Sequence, residues 1–200
     1  DEGVDWNERA RDRQPNHMSP RQAWRAIMSA MPKDAIVSSD IGNNCAIGNA
    51  YPSFDKGRKY LAPGLFGPCG YGLPAILGAK IGCPDVITMI IFRNYQWGAE
   101  KRNTTLWFDD NFVGTELNEG VNYAEIAKGC GLKGIQVTSM EHLTEALNTA
   151  VKEQMKDGVT TFIEVVLNQE LGEPFRRDAM KKPVSVAGIS KDDMRQQART

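Results

Sequence analysis

Asn94 and Gln96 carry the clearest chemical signal in the chain, because they directly follow a continuous apolar run, Val86 to Phe92. Such a run predicts a buried strand, and in open α/β sheets ligands bind just outside the carboxyl ends of the strands. The side-chain oxygen of Asn94 and the backbone carbonyl of Gln96 are oxygen ligands of the kind that Mg²⁺ prefers, together with phosphate and water. Taken alone, the pattern fits equally well an asparagine that caps the end of the strand.

Two further segments at predicted strand ends have the composition of an anion-binding loop. In the first, DIGNN at residues 40–44, Gly42 permits close approach of the backbone, and Asn43 and Asn44 offer amide donors. The second, residues 64–72, has four glycines in nine positions. Each segment alone is also typical of a plain polar turn or of the tight entry to a helix. Because strand ends converge in a doubly wound sheet, the three segments together predict one site for a phosphate-bearing ligand.

Strands and helices alternate along the chain, and this order predicts an α/β fold: a doubly wound, mostly parallel sheet with helices on both faces. The predicted helices cover residues 20–31, 72–81, 122–130 and 139–156, and the predicted strands cover residues 35–39, 59–61, 86–92, 135–138 and 160–167. The first helix has the clearest start, with Ser19 and Gln22 as a capping box and Pro20 in the first turn. Residues 93–121 give no clear element, which is a long connection for a compact domain.

Composition and charge argue against several classes of function. The 200 residues carry a formal net charge of −1, which gives no indication of a nucleic-acid partner. Four scattered cysteines without a C-x-x-C pair, and only two histidines, argue against a zinc site and favour a reducing cytoplasm. No apolar run approaches the ~20 residues of a membrane-spanning helix, and the charged first residues do not form a signal peptide.

The chain divides into three parts by composition. Residues 1–17 are polar and aperiodic, and we interpret them as a linker or arm from a preceding domain. The predicted strands and helices then run from the helix start at Ser19 to residue 167. Residues 168–200 form a polar tail with a possible short helix near Ser190.

Three sequence blocks carry a resemblance to a known family: DIGNN at 40–44, G-x-x-G-Y-G-L-P-A-x-x-G-A-K at 67–80, and RNYQWG at 93–98. They resemble the C-terminal, diphosphate-binding domain of thiamine diphosphate (ThDP) enzymes of the acetohydroxyacid synthase type. Within that group, residues 92–131 and the segment GEPFRRDAMKKPV at 172–184 most resemble the sulfoacetaldehyde acetyltransferases. The resemblance implies that residues 18–188 are a ThDP diphosphate-binding domain, which leaves residues 1–17 as a linker or arm from a preceding domain and residues 189–200 as a polar tail.

By position, the resemblance also implies which residues contact the cofactor and its Mg²⁺. These are Ile41, Gly42, Asn43, Asn44, Gly67, Cys69, Asn94, Gln96 and Trp97. The first four match the segment that holds the diphosphate, and Gly67 and Cys69 match backbone groups that hold the aminopyrimidine. Cys69 also takes the place of a larger apolar side chain beneath the bent cofactor. Asn94, through its side chain, and Gln96, through its backbone carbonyl, match the metal ligands.

One expected part of the family motif is missing. The motif opens with Gly-Asp-Gly, whose aspartate is the charged metal ligand, and closes at Asn94, but this chain passes from Asp85 directly into the strand at Val86. About one strand and one helix, roughly 30 residues, are lacking. We therefore hypothesise that Asp85 and Val86 are not bonded and that a disordered segment between them is omitted. A C–N separation of about 1.33 Å would contradict this. If the segment is disordered, we expect an empty cofactor site, since ThDP and Mg²⁺ would order it.

The resemblance implies a ThDP-dependent acetyltransferase that converts sulfoacetaldehyde and phosphate to acetyl phosphate and sulfite, as in taurine degradation. The activating glutamate is expected on a separate pyrimidine-binding domain, so no catalytic residue is assigned in this chain. The implied partners are the two small-molecule substrates and further copies of the chain, in a homodimer or homotetramer. The alternatives are an enzyme of the acetohydroxyacid synthase or oxalyl-CoA decarboxylase type, and a cofactor-free interaction domain of the same fold.

The stretch from Trp97 to Phe112 is rich in aromatic residues and also contains Lys101 and Arg102. One interpretation is that it lines the substrate entrance, where Arg suits a planar contact with a sulfonate or phosphate. The other interpretation is a contact between subunits.

Overall fold

A computed structural model describes residues 17–48, 51–54, 59–64, 66–83, 88–108 and 111–169. Within these ranges, helices alternate with strands. The helices are α1 (Pro20–Ala30), α2 (Asn43–Gly48), α3 (Gly72–Gly82), α4 (Gly98–Trp107), α5 (Tyr123–Gly129) and α6 (Met140–Asp157). The strands are β1 (Val37–Ser38), β2 (Tyr60–Leu61), β3 (Thr88–Arg93), β4 (Lys133–Val137) and β5 (Thr161–Val166).

All pairings between these strands are parallel, as the sequence predicts. β1 pairs with β2 in a two-stranded sheet, and β3, β5 and β4 form a three-stranded sheet in that order. β5 is the central strand, and each of its residues is buried. The described strands therefore form two parallel sheets where we expected one continuous sheet.

Helix α1 forms as predicted because side chains close its first turn. Gln22 N donates to Ser19 Oγ (3.2 Å), and Ser19 N donates to Gln22 Oε1 (2.9 Å). The buried face of α1 packs against α6 and α2, and its Trp24 ring lies edge-on to Phe92 of β3 at 5.7 Å. One hydrophobic core thus joins α1 and α6 to β1, β4 and β5, so the two sheets share it.

Strand β3 positions Asn94, and it lies at an edge of its sheet. It pairs with β5 so that Ile91 stands opposite Glu164. The sequence predicts burial on both faces, but residues 89–92 are only half-buried. This prediction was wrong because, among the described residues, β3 has a neighbouring strand on one side only.

Two helices differ from expectation. α4 lies within residues 93–121, for which the sequence predicts no element; it is rich in weak helix formers such as threonine and asparagine, and no side chain caps its start. α3 forms where predicted, but two of the side chains that its sequence offers for packing, Leu73 and Leu77, are 48% and 52% exposed, and Ile81 is 87% exposed. Spaced four residues apart, these three side chains form an apolar stripe along one face of α3.

Several expectations fall outside the described residues. These are most of the arm at 1–17, the Asp85–Val86 junction, the motif at 172–184 and the tail at 189–200. The domain boundaries therefore stay predictions. Of the helices that the structure describes, none is both long and apolar enough to cross a membrane.

Candidate cofactor site

The first two predicted segments meet at the carboxylate of Asp40, just after β1. Its Oδ1 accepts hydrogen bonds from the backbone N–H groups of Ile41 (2.8 Å) and Gly70 (3.1 Å). Its Oδ2 accepts from the N–H groups of Gly70 and Gly72, both at 3.1 Å. Asp40 therefore ties the glycine-rich loop to the end of β1. Sequence reasoning included Asp40 in its segment but missed this role, because the partners lie 30 and 32 residues away.

Two glycines shape this junction. Gly67 has φ +52°, and a Cβ there would lie 3.1 Å from Cδ1 of Ile41, so the two residues are in close contact. Gly42 has φ +97° and open space where its Cβ would be, with no atom within 4 Å. A ligand can therefore approach the backbone at residue 42 closely. Asn43 and Asn44 follow as the first turn of α2, and their side chains lie outside the described part of the chain.

The third predicted segment, Asn94 to Gln96, is a turn between β3 and α4. Tyr95 has φ +57°, a left-handed conformation that is uncommon for residues other than glycine. Asn94 Oδ1 accepts a hydrogen bond from Gln96 N at 3.4 Å, which is long and therefore weak. The side-chain oxygen of Asn94 thus lies near the backbone N–H of Gln96.

An antiparallel bridge fixes this turn to residues 115–117. Trp97 N donates to the carbonyl of Thr115, and Leu117 N donates to the carbonyl of Tyr95, both at 2.8 Å. The two bonds flank Gln96 and its partner in the bridge, Glu116. Neither of these two hydrogen bonds therefore involves the carbonyl of Gln96.

A buried polar cluster surrounds the Gln96 side chain. Lys101 Nζ pairs with Glu116 Oε1 at 2.6 Å and donates to Gln169 Oε1 at 3.4 Å. Gln169 Nε2 donates to Glu116 Oε2 (3.2 Å), and its carbonyl accepts from Gln96 Nε2 (2.9 Å). Lys101 and Arg102 are both buried, and burial lowers the pKa of Arg102. Trp97, Phe108 and Phe112 of the same stretch are exposed. Both interpretations of this stretch, a substrate entrance and a contact between subunits, stay predictions.

A second buried ion pair directly precedes the turn. Arg93 Nη1 lies 2.8 Å from Glu164 Oε1, and the two side chains are 6% and 0% exposed. Sequence reasoning missed both residues. A charged residue in a strand cannot be given a partner 71 positions away until the pairing of β3 with β5 is known.

The structure brings some predicted site residues together and leaves others apart. Ile41 contacts Gly67, and Asn94 lies next to Gln96. Cys69 is exposed on the glycine-rich loop. No hydrogen bond or ion pair among the described residues joins the Asn94 turn to the Asp40 junction, so the convergence of all three segments stays a prediction.

The residues present fit a Mg²⁺-bound diphosphate, but they can provide only part of the ligand shell of the metal. The accessible backbone at Gly42 suits an anion, and the Asn94 side chain and the Gln96 carbonyl are two oxygens that could bind the metal. Both oxygens are neutral, however, whereas Mg²⁺ is usually bound by one or two carboxylates as well. Across the described ranges, no three His, Cys, Asp or Glu side chains gather as a metal site. A carboxylate is also what the absent Gly-Asp-Gly would have supplied.

Comparison with known proteins decides the family. Residues 40–88 and 85–165 match the family model described as thiamine pyrophosphate enzyme, C-terminal TPP binding domain, where thiamine pyrophosphate (TPP) is a synonym of ThDP. The chain belongs to this family. The matched range includes every residue of this TPP-binding domain that was predicted to contact the cofactor.

Curated relatives support the narrower resemblance. Over 227 residues, the TPP-binding domain is 63% identical to a probable sulfoacetaldehyde acetyltransferase from Rhizobium meliloti (strain 1021), covering 100% of this chain and 38% of that protein. Over 225 residues, it is 64% identical to the sulfoacetaldehyde acetyltransferase of Roseovarius nubinhibens, covering 98% of this chain and 37% of that protein. The chain thus spans little more than a third of the length of these relatives.

A solved structure confirms the fold. The crystal structure of benzoylformate decarboxylase from Polynucleobacter necessarius matches with a TM-score of 0.67, over 82% of this chain and 35% of the other. The two sequences are 17% identical, so the likeness concerns the α/β fold alone.

The length of the alignments indicates that this chain lacks a segment present in its relatives. The alignment with the Rhizobium meliloti protein spans 227 positions against 200 residues here, so at least 27 positions of the relative have no counterpart. The match to the family model divides at residues 85–88. Both observations agree with a missing segment after Asp85, while the Asp85–Val86 bond itself lies outside the described residues.

Proposed function

We propose that this domain is the diphosphate-binding part of a ThDP- and Mg²⁺-dependent sulfoacetaldehyde acetyltransferase. The enzyme converts sulfoacetaldehyde and phosphate to acetyl phosphate and sulfite in the cytoplasm, as a step in the degradation of taurine and related sulfonates. The observation that carries the proposal is the high identity, over nearly the whole chain, to proteins that bear this name.

The residues of the chain have distinct roles in this proposal. The segment from Ile41 to Asn44 binds the diphosphate, and the backbone at Gly67 and Cys69 binds the aminopyrimidine. Asn94 Oδ1 and the Gln96 carbonyl bind Mg²⁺, and Trp97 lies beside them. The contact between Ile41 and Gly67 and the adjacency of Asn94 and Gln96 support these assignments.

The chemistry is divided between the cofactor and the protein. ThDP, when bound, supplies the carbon nucleophile for the aldehyde, and the protein supplies binding, orientation and electrostatics. The glutamate that activates ThDP lies on a separate pyrimidine-binding domain. The site forms across the interface between subunits, so the complete site requires a homodimer or homotetramer. This domain contributes the backbone groups that bind the cofactor and the uncharged ligands of the metal.

Calorimetry on the full-length protein tests cofactor binding. We expect ThDP to bind in the presence of Mg²⁺ and to bind far more weakly with EDTA, because the metal links the diphosphate to the protein. A second candidate, a cofactor-free interaction domain, is favoured by one observation: no carboxylate cluster stands near Asn94 in the described residues. Absence of any ThDP binding would establish that candidate in place of the enzyme.

A product assay tests the reaction itself. We expect sulfite release from sulfoacetaldehyde that depends on phosphate and yields acetyl phosphate. ThDP binding without sulfite release would instead indicate another ThDP enzyme, of the acetohydroxyacid synthase or oxalyl-CoA decarboxylase type. Pyruvate and oxalyl-CoA are then the next substrates to assay.

A further inference from the structure

The buried pair of Arg93 and Glu164 links the Asn94 turn to the centre of the three-stranded sheet. Arg93 is the last residue of β3, directly before Asn94, and Glu164 lies on the central strand β5. Arg93 Nη1 donates to Glu164 Oε1 at 2.8 Å, and both side chains are almost fully buried. Because burying two charges is unfavourable, such a pair is stable only where further hydrogen bonds satisfy both groups.

Glu164 has those further hydrogen bonds. Its Oε2 accepts from the backbone N–H of Ala124 in α5 (3.0 Å) and from Nε2 of Gln136 in β4 (3.1 Å). Three elements, β3, α5 and β4, therefore donate to one carboxylate. This fixes the position of Glu164 and, through it, the position of the Arg93 guanidinium.

The guanidinium of Arg93 also contacts the turn itself. Its Nη2 donates to the carbonyl of Glu119 (2.6 Å), and its Cζ lies 4.5 Å from the centre of the Tyr95 ring. Tyr95 is the residue with φ +57°, a conformation that persists only when its surroundings hold it. A guanidinium over an aromatic ring is attractive, so Arg93 stabilises Tyr95 in the conformation that sets Asn94 beside Gln96.

We propose that Arg93 is a positioning residue for the Mg²⁺-diphosphate site, acting through Tyr95 and fixed in turn by Glu164. The inference rests on the proposed function, because it takes Asn94 and Gln96 as metal ligands. A purely structural ion pair would affect stability without a selective effect on cofactor affinity. The two roles are therefore separable by measurement.

The test measures the Kd of ThDP with Mg²⁺ by calorimetry, and kcat at saturating ThDP, in variants of the full-length protein. Arg93→Lys keeps the charge but loses the planar group that stacks on Tyr95 and bonds two partners. We expect the Kd to rise about tenfold to a hundredfold, the usual loss when a group that orients a metal ligand is removed. We expect kcat at saturation to change little. Arg25→Lys is the matched control, since Arg25 lies over the ring of Tyr51, 5.7 Å away, outside this site.

Two variants of Tyr95 decide the question if Arg93→Lys folds poorly. Tyr95→Leu removes the ring but leaves the Arg93–Glu164 pair in place, and we expect it to raise the Kd as well. Tyr95→Gly loses the ring too, but glycine adopts a positive φ without steric penalty. Its Kd is therefore expected to lie closer to that of the wild type than the Kd of Tyr95→Leu.

The outcomes distinguish this inference from the proposed function. A wild-type protein that binds no ThDP overturns the proposed function and the positioning role together. Wild-type binding with an unchanged Kd in Arg93→Lys and Tyr95→Leu overturns the positioning role alone. An equal rise of the Kd in Tyr95→Leu and Tyr95→Gly also overturns it, because the conformation at residue 95 would then not be what Arg93 controls.

Discussion

Asp40 orders two loops at once, because both of its carboxylate oxygens accept backbone hydrogen bonds. The donors are the N–H groups of Ile41, Gly70 and Gly72, and two of them belong to the glycine-rich loop. An asparagine would keep one acceptor oxygen and turn an NH₂ group toward the remaining donors. The residue type at position 40 therefore matters for the shape of the loop as well as for its charge.

We expect Asp40→Asn to lower the free energy of unfolding by about 1–2 kcal/mol, and to weaken ThDP binding in the full-length protein. Hydrogen bonds to a charged group contribute about 1.5–3 kcal/mol each, and partial exposure of this group reduces the loss. Urea denaturation and calorimetry measure the two effects. Asp34→Asn, at an exposed position just before β1, is the control and leaves both unchanged. Wild-type affinity in Asp40→Asn would show that the loop keeps its shape without the carboxylate.

Gly67→Ala tests the contact between the glycine-rich loop and Ile41. The new Cβ would lie 3.1 Å from Ile41 Cδ1, so either the Ile41 side chain or the loop must move by a few tenths of an ångström, and the φ of +52° adds strain. We expect a stability loss of about 1 kcal/mol from the backbone and a clear rise in the Kd of ThDP. Gly114→Ala is the control, because position 114 has φ +69° and open space for a Cβ. It is therefore expected to lose stability through backbone strain without a new contact. If the two variants bind ThDP equally well, the contact with Ile41 is irrelevant to the cofactor.

At the scale of elements, local signals in the sequence predict which helices and strands form, but not which residues of different elements pack against each other. The capping box and Pro20 predict α1, and alternation of strands and helices predicts the parallel pairings. α4 could not be predicted, because it has weak helix formers and no cap. The strand ends identify Asn94 and residues 40–44 as site candidates. The pairing of Arg93 with Glu164 depends on the register of β3 with β5, which no local pattern encodes.

Helix α5 and strand β4 lie very close together at Gly134. A Cβ at Gly134 of β4 would lie 2.1 Å from the carbonyl oxygen of Ala124 in α5, and this backbone cannot move aside cheaply. We expect Gly134→Ala to cost about 2–3 kcal/mol of stability. It also displaces the Ala124 N–H from Glu164. Gly129→Ala, in the same helix with open space around its Cβ, is expected to be neutral or to stabilise by up to about 1 kcal/mol. Thermal unfolding of both variants checks this, and equal stability would show that α5 shifts freely over β4.

At the scale of the whole molecule, three features lie around the junction between α3 and β3. The apolar stripe of α3 is exposed, β3 is a half-buried edge strand, and no three His, Cys, Asp or Glu side chains of the described residues gather as a metal site. At least 27 positions of the relatives have no counterpart, and the family match divides at the same junction. A strand and helix of roughly 30 residues is the unit that would pair with β3 and cover the stripe.

In a polypeptide in which Asp85 is bonded directly to Val86, inserting the relatives' segment between them is therefore expected to stabilise the protein and to strengthen Mg²⁺-dependent ThDP binding. Burying a fully exposed side chain of this kind contributes about 1.5–3 kcal/mol. Ile81 would therefore gain most of this amount, and Leu73 and Leu77, which are already half-buried, would gain about half of it. The urea m-value rises as well, because more surface is exposed on unfolding. A glycine-serine linker of equal length at the same junction is the control, since it can supply neither a paired strand nor a carboxylate. If linker and segment give the same m-value and the same Kd for ThDP, the Asp85–Val86 junction belongs to the folded domain as it stands, and the hypothesis of a missing segment is wrong.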